Sequence, residues 1–196
     1  MTLPLPGNPV DDHNIQQKFD AISLAWQDNQ QQTALVTASA TADIPIQNTD
    51  ALVIIEFDLE STALCELHLF PNNIATAIYS YVRDGSYENQ TPASGPIAAA
   101  GVYADANGMR LAFAPAGSTT GGQMMTGRAT FGSAIPAGPR RTCIAQTAVS
   151  STTGSVGHVI ELQNIASLFQ SAVALTSLRF ACSAGTMTGR IRVTRG

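Results

Sequence analysis

The feature that most constrains the fold is an alternation of period two that recurs from residue 51 to the end of the chain, broken at short intervals by glycine, proline and asparagine. In residues 51–59 (ALVIIEFDL), Ile55, Phe57 and Leu59 fall on one side and Glu56 and Asp58 on the other; residues 63–69 repeat this with Cys65, Leu67 and Leu69 opposite Glu66 and His68. Successive side chains of a strand point to opposite faces, so each run predicts a strand with one apolar face. Further strands are predicted over 74–82, 97–104, 109–114, 142–149, 156–162, 176–182 and 187–194. Turn residues fall at 71–73, 83–86 and 107–108, with long loops around 117–127. Residues 164–174 allow one short helix instead, because Ile165, Leu168, Phe169 and Ala172 stand at helical spacing. Residues 183–185 predict a closing hairpin with Leu178, Phe180, Cys182, Ile191 and Val193 on one face and Arg179, Arg190 and Arg192 on the other. Short antiparallel strands at regular spacing predict a mainly β domain over 33–196, an antiparallel β-sandwich of jelly-roll-like type.

The first residues read differently. Pro4, Pro6 and Pro9 favour an extended backbone and are excluded from a helix interior, so 1–10 is predicted to be an arm. Asp11 or Asp12 caps a predicted helix over 11–27, accepting a bond from a free first-turn amide. Ile15, Phe19, Ile22 and Trp26 follow at intervals of four, three and four, which aligns them as one stripe. So short a helix is marginal alone, so the stripe is expected to dock on the β-domain or on sister subunits. Residues 28–32, polar and rich in glutamine, form the expected linker.

Composition narrows the function classes. Charged residues are 12% of the chain against roughly 25% in an average soluble domain, which suits a surface largely covered by partners. Residues 1–70 carry ten acids and one base, and 71–196 four acids and nine arginines; neither part is basic enough for a nucleic-acid binder. No signal peptide and no apolar stretch of about 18 residues is evident, so no membrane association is expected. Cys65, Cys143 and Cys182 are widely spaced among apolar residues and read as buried free thiols.

A search for catalytic chemistry returns little. His13, His68 and His158 are isolated, without the paired spacing of a metal site, and His68 with Glu66 reads as a surface pair. Glu56, Asp58, Glu60 and Glu66 are carboxylates of the kind a glycosidase pairs, yet outward acids on adjacent strands are ordinary. Residues 154–157 depart from a nucleophile elbow at Thr153, and the glycines at 121–122 lack the lysine of a phosphate loop. No catalytic residue, cofactor or metal is therefore expected. Arg179, Arg190, Arg192 and Arg195 suggest an outward basic stripe: a solvated face, or a contact for an acidic neighbour or an anionic glycan. Tyr79, Tyr81, Tyr87 and Tyr103 are candidates for stacking on sugars from loops.

Residues 5–22 (LPGNPVDDHNIQQKFDAI) resemble the opening of tailed-bacteriophage structural proteins, where a proline-rich arm leads into a short helix of the form Asn-Ile-Gln-x-x-Phe-Asp-x-Ile ahead of a β-rich body. Leu178-Arg179-Phe180 through Gly189-Arg190-Ile191-Arg192-Val193 is similar to their closing hairpin. The resemblance covers about a fifth of the chain and no catalytic motif. It implies a virion component of the tail-fibre, minor-tail or head-decoration kind, assembled in the host cytoplasm as a homo-oligomer, commonly a trimer. Its expected partners are sister subunits and other virion proteins. A host-surface glycan is the binding-module alternative, and a polysaccharide-degrading enzyme a further one.

Overall fold

A computed structural model describes residues 31–46, 52–75, 79–89, 95–105, 108–115, 118, 121–132, 140–153, 157–171, 173 and 175–195. The arm, the 11–27 helix and its stripe of Ile15, Phe19, Ile22 and Trp26 lie outside them. Twelve strands are present: β1 (Gln31–Ser39), β2 (Thr41–Pro45), β3 (Leu52–Ser61), β4 (Leu67–Pro71), β5 (Tyr79–Asn89), β6 (Gly95–Asp105), β7 (Met109–Ala112), β8 (Gln123–Gly132), β9 (Arg140–Thr153), β10 (Gly157–Gln170), β11 (Ser177–Cys182) and β12 (Met187–Arg195). They form an eight-stranded sheet, β1-β12-β3-β8-β9-β10-β5-β6, and a four-stranded sheet, β2-β11-β4-β7, with antiparallel pairing throughout. No helix occurs among the described residues.

This corrects the jelly-roll expectation. A jelly roll divides eight strands between two sheets of equal width. Here β8, β9 and β10 run as successive hairpins inside one sheet, as do β5 and β6, so one sheet is twice as wide as the other and neither closes on itself. Of the alternative helix at 164–174, residues 164–170 are the second half of the 14-residue strand β10, and 164–169 are paired on both sides. Two-sided pairing and alternating burial of Ile165, Ser167 and Phe169 outweigh a helical spacing of four apolar residues. Residues 83–86 are not a turn but the interior of β5, and β8 begins inside the expected loop at 117–127. The closing hairpin is also overturned, because β11 belongs to the small sheet and β12 to the large one. Residues 183–185 therefore step between layers, Ser183 N–H bonding Glu66 O at 3.0 Å and Gly185 taking φ +68°.

The core lies between the sheets. Ile55, Phe57 and Leu59 of β3, Phe131 of β8 and Ile191 and Val193 of β12 meet Leu67 and Leu69 of β4 and Leu178 and Phe180 of β11, all buried. Each such side chain contributes roughly 1.5–3 kcal/mol by leaving water. Two glycines make the large sheet possible. A Cβ at Gly127 would stand 2.6 Å from the Phe57 ring, so glycine lets that ring lie across β8. At Gly189, φ is +143° and a Cβ would stand 2.1 Å from Asp58 O, so only glycine allows β12 to approach β3 there.

Candidate functional site

Two places hold side chains that core packing alone does not call for: a polar network between the sheets, and the outer face of the large sheet.

The network begins at β7, an edge strand whose only ladder partner among the described residues is β4. Its other edge faces the inner side of β9 and β10, where side chains take the place of a neighbouring strand. Ser167 Oγ accepts from Arg110 N–H at 3.1 Å and donates to Arg110 O at 3.2 Å, and Thr147 Oγ1 donates to Leu111 O at 2.6 Å. Gln163 accepts from Phe113 N–H at 2.8 Å and donates to Phe113 O at 3.0 Å. Buried backbone groups must be paired, and this explains why β10 presents polar residues inward.

Beside this seam lie the charges. Glu161, with no exposed surface, meets the guanidinium of Arg83 and accepts from Gln163 Nε2 at 2.8 Å. Arg110 meets the carboxylate of Glu66, and His68 Nε2 stands 3.0 Å from Glu66 Oε2 and 3.2 Å from Arg110 Nη1. A proton on that nitrogen is donated to the carboxylate; without it the nitrogen accepts from Arg110. Phe113 and Tyr81, their centroids 5.1 Å apart, lie against both cations: Arg83 Cζ stands 4.5 Å and Arg110 Cζ 5.2 Å from the Phe113 centroid, and Arg110 Cζ 5.0 Å from that of Tyr81. Burial lowers the pKa of both arginines, yet a guanidinium starts so high that both stay charged. Each carboxylate is thus matched by a fixed cation, which ties β5 to β10 through Arg83 and Glu161, and β7 to the residue before β4 through Arg110 and Glu66.

The structure places the remaining candidates apart. The expected surface pair of Glu66 and His68 is formed, but His68 is buried beside Arg110, not at the surface. Glu56, Asp58 and Glu60 are on the outer face of β3, away from Glu66. Arg179 is on the outer face of the small sheet, its Nε and Nη2 donating to Asp43 at 2.7 and 2.9 Å and Nη1 to Asn73 at 2.5 Å. Arg190 and Arg192 are on the opposite side of the molecule, on the outer face of the large sheet, Arg192 Nη1 lying 3.4 Å from Glu56. Arg195 is buried, so the four arginines form no single stripe. The tyrosines are on strands, not loops: Tyr79 is buried, stacked on Phe169 at 5.3 Å, and Tyr81 belongs to the network, with Tyr87 on β5 and Tyr103 on β6. Among the described residues no group of three His, Cys, Asp or Glu is placed to hold a metal ion.

Sequence reading missed the outer face of the large sheet as a site. Val82, Ile144, Ile160 and Leu162, on three adjacent strands, are 55%, 59%, 54% and 58% exposed. Ile144, Ala166 and Val82 stand in one cross-strand row and Thr142, Leu168 and Ser80 in the next, around a shallow groove of about 310 Å³. In β10, Ile160 and Leu162 alternate with Glu161 and Gln163, and the apolar set faces out, which alternation alone does not decide.

Cys65 and Cys143 are buried and Cys182 half-buried, all as free thiols. Burial pushes the Cys143 thiol from its ordinary 9.0 up to about 12, and a bond shared with Cys182 lowers Cys65. A raised folded pKa means that the neutral thiol's contribution is whole below pH 9 and is lost as pH rises toward 12. Native labelling at neutral pH is expected to be slowest at Cys143 and to become fast at all three in denaturant. Rapid modification of Cys143 in the native protein, followed by mass spectrometry, would show that β9 has its faces reversed.

No protein-family model matches the chain, and no curated protein matches it.

Proposed function

We propose that the chain is a non-catalytic structural subunit of a bacteriophage-type virion, oligomeric, and held to tail or head through the arm at 1–10 and the helix at 11–27. The observation that carries the assembly part of this reading is the outer face of the large sheet, where Val82, Ile144, Ile160 and Leu162 are each more than half exposed. Exposed apolar residues on both sides of a polar row, on a chain with 12% charged residues, favour a partner over water. The interior network supports the non-catalytic part, since Glu161 is held by Arg83 with no exposed surface and the carboxylate of Glu66 is held by Arg110. The virion part rests on the resemblance of residues 5–22.

Particle mass and copy number, measured on phage particles formed with the wild-type chain and with Phe19→Asp plus Trp26→Asp, test the reading. The wild type is expected at a fixed copy number and the double variant to be lost from particles while its melting temperature is retained. Full incorporation of the double variant removes the helix stripe from the attachment, and absence of the wild type from particles removes the virion reading.

A further inference from the structure

Resting on that reading of an assembly subunit, we propose that the outer face of the large sheet pairs with the same face of a second copy, about a twofold axis that runs along the strands between β9 and β10.

The register supplies the argument. On this face Arg192, Glu56, Arg128, Gln146, Asn164 and Asp84 stand in one row across six adjacent strands. Gln146 Nε2 lies 3.4 Å from Asn164 Oδ1 at the middle of the β9–β10 pair. Arg128 stands one strand to one side of that pair and Asp84 one strand to the other; both are exposed, and among the described residues neither has an ion-pair partner. A twofold axis along the strands exchanges the two sides. Arg128 then faces the partner's Asp84, Asp84 faces the partner's Arg128, and Gln146 faces the partner's Asn164. A twofold axis across the strands sets Arg128 on its own copy and Asp84 on its own copy, and like charges so placed oppose pairing.

The same axis centres the apolar residues. Ile144 with Ala166 and Val82, and Leu168 beyond them, lie on one side of the polar row, and Leu162 and Ile160 on the other. Sheets packed face to face about 10 Å apart and roughly 30° off parallel interdigitate such rows. From the Leu168 row to the Ile160 row is about 27 Å, and from β8 to β5 about 14 Å, which with side-chain overhang gives on the order of 500 Å² per copy. A standard interface takes about 800 Å² per partner, so pairing is weak in free solution and is reinforced where the N-terminal segment gathers subunits.

Sedimentation velocity of the full chain from about 1 to about 100 µM reads the pairing. The wild type is expected to associate with rising concentration, and Leu162→Asp to stop it while melting at the wild-type temperature, since Leu162 is already 58% exposed. Arg128→Asp and Asp84→Arg should each weaken association on the order of tenfold, and the two together should restore it. No association in the wild type, or single reversals without effect, or a double swap that fails to recover, each overturns the proposal. Trp26, the single tryptophan, reports the other occupant: a red shift of its emission in Leu162→Asp at unchanged monomer mass means that the chain's own N-terminal segment covers the face, which also overturns it. A chain found at fixed copy number on particles yet monomeric in every variant sinks the pairing and leaves the structural-subunit reading standing.

Discussion

Replacing Glu161 by leucine is expected to cost about 3–5 kcal/mol of folding stability, the loss found when one partner of a buried ion pair is removed. Glu161 has no exposed surface, and its carboxylate is the anion against Arg83 and an acceptor for Gln163 Nε2. Without it, the Arg83 guanidinium stays between the sheets with only the face of Phe113, 4.5 Å away, to offset its desolvation. A desolvated cation over a ring recovers on the order of 2 kcal/mol, less than the charge loses. The double variant Glu161→Leu with Arg83→Met should recover most of the loss, because two apolar groups of similar volume leave no charge to desolvate. Urea titrations at unchanged slope decide between these outcomes. A single variant within about 0.5 kcal/mol of wild type, the range of an ordinary surface change, would mean that water reaches the pair and that β5 is not pinned as described.

How far the fold was legible follows from what alternation encodes. Period two gave the strand content around Ile55, Phe57 and Leu59 and around Leu178 and Phe180, all buried as expected. It carries no information on which sheet a strand joins. Residues 183–185 looked like any tight turn between paired strands, yet the chain changes layers there, because β12 is taken up between β1 and β3. Nor does period two give the phase. In β10 the apolar members Ile160 and Leu162 face out and the polar members Glu161, Gln163 and Ser167 face in, a choice made by the unpaired edge of β7 some 50 residues earlier in sequence. Residues 83–86 carry the Asp-Gly signal of a turn, but β10 on one side and β6 on the other hold them extended. Local propensity of a few tenths of a kcal/mol per residue yields to two ladders of hydrogen bonds. Both candidate sites depended on these long-range choices, so neither the buried charges nor the exposed apolar rows were separable from ordinary strand residues in the sequence.

The second large effect is expected at Gln163. Its amide is the whole hydrogen-bonding environment of the Phe113 backbone on that side, accepting at 2.8 Å and donating at 3.0 Å, and it also donates to Glu161 at 2.8 Å. Leucine has similar volume, so Gln163→Leu leaves packing nearly intact and removes the bonds alone. Two buried backbone groups and one carboxylate lone pair then lack a partner. At about 1–3 kcal/mol for each orphaned group, the backbone loss is roughly 2–6 kcal/mol, on the scale of a small domain's whole stability. The damage should also be local in a way that a packing defect is not. Native-state hydrogen exchange is expected to show the Phe113 amide losing protection first, followed by Arg110, whose N–H relies on Ser167 one step along the same seam. Amides of β3 and β12, on the far side of the core, should keep theirs until global unfolding. Uniform loss of protection would instead assign Gln163 to the core as a whole, and an unchanged Phe113 amide would mean that β7 finds its missing neighbour elsewhere.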